Sequence, residues 1–245
     1  DVAIWSRSNP DDRLAATAEA LIVAVPAQAV RQVLTDVTIP SAAAIIISAK
    51  GIERGSGAFM HEVVQTVAPR NPALILSGPS FAADVLAGKP TAVTLAASQI
   101  DVANTWAKAL SLPHFRIYGS EDLTGVAIGG AMKNVLAIAC GISDGRGLGD
   151  SARAALVTRS FAELQRFGRA LGARSDTLMG LSGLGDLLLT STSPQSRNYS
   201  AGFRIGKGAS VKDAIAETAG TVEGAYTAAV AVDLARRHGI DMPII

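Results

Sequence analysis

The sequence predicts an α/β protein: a mostly parallel sheet with helices on both faces, followed by an all-helical unit. Three observations carry this reading. Short β-branched apolar runs recur through the first half, and segments with helical apolar stripes separate them. From about Glu121 onward those runs stop and long Ala-rich segments take over. Over 245 residues, 49% are hydrophobic and 18% charged, a composition that builds a large core and excludes intrinsic disorder.

The strands follow in order. Val2-Ala-Ile-Trp5 is the first, then Ala20-Leu-Ile-Val-Ala-Val25, Ala44-Ile-Ile-Ile-Ser48, Ala73-Leu-Ile-Leu76, Thr91-Ala-Val-Thr-Leu95 and Phe115-Arg-Ile-Tyr118. Their nearly continuous apolar character suits strands buried on both faces. Between them, Val30, Val33 and Leu34 make one helical stripe, and Val63, Val64 and Val67 make another. Alternation of this kind implies parallel strands joined by right-handed crossovers, with ligands bound beyond the carboxyl ends of the strands. Helices are expected over residues 124–141, 152–171, 211–216 and 223–238. The boundary falls near Gly119. It divides a Rossmann-like α/β unit of the kind that binds dinucleotides, 1–119, from an all-helical unit, 120–245. The first strand begins almost at residue 1 with no Gly-rich turn before it, and residues 8–19 are short for a crossover. Residues are therefore expected to be missing before Asp1 and around 8–12.

Composition narrows the function classes. With 22 Lys and Arg against 21 Asp and Glu, the net charge of +1 lacks the basic bias of a nucleic-acid binder. One cysteine excludes an intrachain disulfide framework and a Cys-cluster zinc site, and Cys140 reads as a small buried hydrophobe. His61, His114 and His238 are too scattered for metal-ligand spacing, so no metal is expected. The best membrane candidate, residues 125–142, carries Lys133 and Asn134 at its centre. A lysine there costs roughly 2.5–3.5 kcal/mol in hydrocarbon. With no basic n-region before an apolar stretch, the chain reads as a soluble cytoplasmic protein without a membrane span.

Several residues invite chemistry. Lys133 lies in an apolar helical segment with Gly129 and Gly130 four and three residues before it, so its own helix face is bare of bulk. Either it is a desolvated general acid/base or it snorkels to the surface while the glycines serve helix packing. Lys50 follows a strand, where it can meet an anion or simply open a loop. Ser77-Gly-Pro-Ser80-Phe81 also follows a strand, with Ser80 placed to cap a helix over 81–86 whose N–H groups face an anion, or as a plain turn. Gly183-Leu-Gly-Asp186 permits close backbone approach beside a carboxylate, and Ser196-Arg197-Asn198 offers phosphate ligands; each is equally a cap or turn. Gly145-Arg-Gly-Leu-Gly149 follows a helix and not a strand, so it reads as a turn between two helices. Arg236, Arg237 and His238 complement a helix dipole and receive no function.

Taken together and in order, these stretches resemble the bacterial NAD(P)-dependent glycerol-3-phosphate dehydrogenase family. They are Trp5-Ser-Arg7, Leu21-Ile-Val-Ala-Val-Pro26, Ser48-Ala-Lys-Gly-Ile-Glu53, Leu76-Ser-Gly-Pro-Ser-Phe81, Gly129-Gly-Ala-Met-Lys-Asn134, Asp144-Gly-Arg-Gly-Leu-Gly-Asp150, Met179-Gly-Leu-Ser-Gly-Leu-Gly-Asp186, Thr192-Ser-Pro-Gln-Ser-Arg-Asn198 and Val222-Glu-Gly224. The resemblance runs to Asp241-Met-Pro243, departing in the absent Gly-rich turn and an end soon after Pro243. It implies interconversion of sn-glycerol 3-phosphate and dihydroxyacetone phosphate, supplying glycerol 3-phosphate for phospholipid synthesis. It implies that Lys133 is the proton acceptor, and that Lys50, Gly78, Ser80, Asp186, Ser196, Arg197 and Asn198 hold substrate beside it. It places Trp5, Arg7, Lys50, Ala82, Arg197, Val222 and Glu223 at the cofactor. Arg7, where an acidic residue would favour NAD, leans the choice toward NADP. Helical faces of the second half could form a homodimer. Two rival readings share the architecture: a dehydrogenase of another hydroxy or sugar acid, and a non-catalytic cofactor-binding module or dimer scaffold.

Overall fold

The computed structural model describes Ile4, Ser6 and residues 17–245. The first predicted strand, residues 2–5, and the cofactor candidates Trp5 and Arg7 lie outside these, Ile4 excepted. Five strands are described: β1 Ala20–Val23, β2 Ala44–Ile47, β3 Ala73–Ser77, β4 Thr91–Ala97 and β5 Phe115–Ser120. They lie side by side in chain order. A 3₁₀ turn at Ala27–Ala29 and α1 (Val30–Asp36) follow β1, α2 (Met60–Val67) follows β2, α3 (Ala82–Leu86) follows β3 and α4 (Ile100–Leu110) follows β4.

β1, β2 and β3 are parallel, with Leu21 opposite Ile45 and Ile45 opposite Ala73. β4 departs from the expected parallel order: it runs antiparallel to β3, with Leu76 opposite Leu95, and β5 runs parallel to β4. The connection explains this. At 1.5 Å per residue, the five residues of α3 rise only about 7.5 Å, while strands of this length span roughly 17–23 Å. The chain cannot return to the start of β3, so it turns and runs back. α4 is long enough for a true crossover, and β5 recovers the direction of β4.

Alternate residues explain the continuous apolar runs. Ile45 and Ile47 pack with Val30, Val63, Val64 and Ile75 on one face, and Ile46 and Leu74 pack with Leu95, Ala103, Ala107 and Ile117 on the other. Ile45, Ile46 and Ile47 are all fully buried, as a strand covered on both sides requires.

The remaining chain is helical: α5 (Leu123–Gly145), α6 (Asp150–Ala170), α7 (Ser175–Met179), a π turn (Leu181–Gly185), α8 (Asp186–Ser191), α9 (Arg197–Gly206), α10 (Val211–Ala216) and α11 (Glu223–Arg237). α5 is its axis. Asp122 caps it, one carboxylate oxygen accepting from the Gly125 N–H at 2.8 Å and the other from the Arg174 N–H at 2.8 Å. By length and composition α5 could cross a membrane, yet 83% of its most apolar stretch is buried inside the protein, as in a core helix. α9 lies directly on it. A Cβ at Gly141 would stand 2.1 Å from the Tyr199 carbonyl, and one at Gly202 would stand 2.1 Å from the Ile138 carbonyl, so only glycines let the two backbones meet. Gly145 to Gly149 forms the expected turn into α6, with Gly147 and Gly149 at φ 71° and 86°.

Candidate functional site

The carboxyl ends of β1, β2 and β3 face α5 and the starts of α9 and α11 across a cleft of about 780 Å³. Loops provide the sheet side: Ala24-Val25-Pro26 after β1, Ser48-Ala49-Lys50 after β2 and Ser80 to Ala83 after β3. Lys133 and Asn134, Thr190, residues 195–198, Thr221 and Glu223 provide the helical side.

Lys133 sits at the base of this cleft with its side chain only 9% exposed. Its amine lies 3.1 Å from Asp186 Oδ1, and Lys50 Nζ lies 2.5 Å from Asp186 Oδ2. One carboxylate is thus clasped by two ammonium groups, one on each oxygen. Lys50 also donates to the Gly78 carbonyl at 3.1 Å. Asp186, at the start of α8, is fully enclosed, and Thr190 Oγ1 donates to its carbonyl at 2.6 Å. Burial pushes the Lys133 amine down to about 8. That value already includes the neighbouring Lys50 charge, which lowers it with burial, and Asp186, which opposes both.

The face left bare by Gly129 and Gly130 is filled, and not by ligand space. A Cβ at Gly129 would stand 2.5 Å from the Ser182 carbonyl, and one at Gly130 2.6 Å from Ser77 Oγ and 3.4 Å from Lys50 Cγ. The glycines let the π turn and the ends of β2 and β3 close onto α5. That approach brings Lys50 and Asp186 to Lys133, although 136 residues separate Lys50 from Asp186.

A second set of polar groups runs beside this one. Asn134 Nδ2 donates to the Lys50 carbonyl at 3.4 Å, Asn198 Nδ2 donates to Asn134 Oδ1 at 2.9 Å, and the Gly224 N–H donates to Asn198 Oδ1 at 2.9 Å. Asn198 is therefore committed largely to the protein. Arg197 is exposed and lies against the backbone at Gly220, where a Cβ would meet Nη1 at 2.6 Å. Ser196 is buried and caps α9, accepting from the Tyr199 N–H at 3.3 Å. Ser80 does not cap α3. The helix starts at Ala82 with Phe81 in the cap position, and Ser80 Oγ instead donates to the Gly78 carbonyl at 3.1 Å. Ala82 is exposed at the lip of the cleft.

Val222 is buried at the cap position of α11. Beside it, Glu223 Oε1 accepts from the Ala27 N–H at 3.2 Å, tying α11 to the turn after β1. Its Oε2 is buried without a hydrogen-bond partner among the described residues. Burial raises the Glu223 carboxyl above its ordinary value. Such an unsatisfied oxygen beside the loop after β1 fits a polar ligand laid across the strand ends, as a dinucleotide is. Asn134, Thr190, Gln195 and Thr221 escape a sequence reading. Asn134 alone left a signal, a polar residue inside an otherwise apolar helix.

Models of the NAD-dependent glycerol-3-phosphate dehydrogenase N-terminus and C-terminus match residues 7–103 and 122–245. Glycerol-3-phosphate dehydrogenase [NAD(P)+] of Rhodospirillum rubrum is 55% identical over 93% of this chain and 66% of its own length. That of Methylobacterium radiotolerans is 57% identical over 94% of this chain and 69% of its own. The crystal structure of glycerol-3-phosphate dehydrogenase from Coxiella burnetii superposes with a TM-score of 0.88 at 40% identity, covering 92% of this chain and 70% of that one. The chain spans about two thirds of the length of these relatives. It belongs to the NAD-dependent glycerol-3-phosphate dehydrogenase family.

Proposed function

We propose that the protein interconverts sn-glycerol 3-phosphate and dihydroxyacetone phosphate with NADP or NAD, in the cytoplasm, and so supplies glycerol 3-phosphate for phospholipid synthesis. The observation that carries this reading is the buried Lys133 amine, held at about 8 against Asp186 at the base of the cleft. Near neutrality such a group exists in both forms. As the free amine it accepts the proton of the substrate C2 hydroxyl during oxidation; as the ammonium it returns that proton during reduction and stabilises the developing alkoxide. When bound, the nicotinamide supplies or accepts the hydride at C2. Lys50, Gly78 and Asp186 fix the amine and the substrate's polar end. Ser80, Ser196, Arg197 and Asn198, with the start of α9, receive the phosphate. In this reading Ala82, Val222, Glu223, Lys50 and Arg197 serve the nicotinamide dinucleotide, and Trp5 and Arg7 are assigned to its adenosine end by the family resemblance alone; the cleft position of Ala82, Lys50, Arg197 and Glu223 supports their part of it. The guanidinium of Arg7 favours NADP.

Two units, 1–119 and 120–245, belong to this reading. The end of β5 at Ser120 and the family matches on either side of it support them. A homodimer through the helical faces belongs to it too, and sedimentation equilibrium tests it. The activity test follows oxidation of NADPH and NADH by the intact protein with dihydroxyacetone phosphate as acceptor. Turnover with both, faster with NADPH, is expected; no turnover with either refutes the function, and equal rates refute the cofactor preference.

A further inference from the structure

The turn motif from Asp144 to Asp150 takes no part in the reaction described above, yet its first residue is held to the helix that carries Arg197 and Asn198. Tyr199 OH donates to Asp144 Oδ2 at 2.5 Å. Arg153 Nη1 donates to the same oxygen at 2.7 Å, and its Nη2 reaches Asp150 at 2.6 Å. Asp144 is the penultimate residue of α5, Arg153 lies in the first turn of α6, and Tyr199 lies in the first turn of α9, directly after Arg197 and Asn198. Three helices are therefore joined through one carboxylate oxygen.

We infer that Tyr199 is a positioning residue for the phosphate-binding end of the site, fixing the first turn of α9 through Asp144. Among the described residues, that turn has one other side-chain tie to neighbouring helices, through Asn198. Gly202, one turn on, touches α5 through backbone alone, and Ser196 caps α9 from inside its own turn. Two side chains tie this turn to outside elements: Tyr199, through Asp144, on one side, and Asn198, through Asn134 and the Gly224 N–H, on the other. Charge assistance makes the bond a strong one. Burial and the Asp144 carboxylate push the phenol up to about 12, so the donor keeps its proton throughout the neutral range. Losing it leaves the turn tied on the Asn198 side alone, so that its Tyr199 side can tilt away from Asp144. Arg197 then meets the phosphate less often in its productive place, while Lys133, on α5, stays where it is.

The inference rests on the proposed substrate, and the test separates the two. Tyr199→Phe removes one oxygen. KM for dihydroxyacetone phosphate is expected to rise about three- to tenfold with kcat within about twofold, in keeping with the loss of one charge-assisted bond acting through a neighbour. Asp144→Ala should reproduce the KM change, and the double variant should exceed neither single one, because both break the same link. A merely structural loss lowers the folded fraction and hence apparent kcat, leaving KM alone. If Tyr199→Phe matches the unaltered protein, or lowers kcat at unchanged KM, or if the two substitutions add, the positioning role is overturned. Should Asp144→Ala fail to fold, Tyr199→Phe alone decides. If the unaltered protein does not reduce dihydroxyacetone phosphate, the substrate assignment has failed and not this inference.

Discussion

The two walls of the cleft bring the same kind of group to it in different surroundings. The strand-end wall is made of loops, and its one cation among the described residues, Lys50, has a side chain 20% exposed and hydrogen-bonded to both Asp186 and the Gly78 carbonyl. The helical wall carries the exposed Arg197 and the buried Lys133, whose amine burial and the nearby Lys50 charge press below its ordinary value. Both ammonium groups share one carboxylate. The deeper burial of Lys133 suits that amine to give a proton up.

That contrast can be broken directly. Lys133→Ala should have the largest effect, a fall in kcat of about 10²–10⁴, the range for a lost general acid/base. NADPH binding, followed by fluorescence titration, should change little. Asp186→Asn should come next, with a loss of about 10² in kcat. Asp186 raises the Lys133 value, so its removal should also move the alkaline limb of dihydroxyacetone phosphate reduction to lower pH. An unmoved limb would assign that limb to another group.

Lys133→Met sharpens the contrast from the side of stability. The folded-state value of about 8 lies below the ordinary 10.5, so the folded chain binds fewer protons than the unfolded one between those pH values. The strain from this group is fully present below pH 8 and is relieved as pH rises from 8 to 10.5. The methionine variant should therefore be inactive yet about 1–2 kcal/mol more stable at pH 7 by urea denaturation, after allowing for the ion pair it loses to Asp186. Ser196→Ala, which removes a helix cap, should be smallest, costing about 1 kcal/mol and a few degrees of Tm.

The five described strands and the long helices α5, α6 and α11 were legible in the sequence, because buried strands and long periodic helices leave strong local patterns. The reversal at β4 was not, since it depends on the short reach of α3. Nor was α9: Gly202 and Gly206 weaken its helical signal, and the surface of α5 that makes them favourable is remote in sequence. Lys50, Asp186 and Lys133 were each visible singly, but their meeting at one carboxylate depends on the close packing around Gly129 and Gly130. Pairings such as Tyr199 with Asp144 and Asn134 with Asn198 have no local signature at all.

The central claim is that the Lys133 amine exchanges the substrate proton from a desolvated position, and the pH dependence of both directions tests it most directly. With saturating cofactor, reduction of dihydroxyacetone phosphate should fall as pH rises through about 8, because the ammonium donor is lost, while oxidation of glycerol 3-phosphate should rise across the same interval. Rates flat in both directions from pH 7 to about 10, the ordinary lysine range, would contradict it.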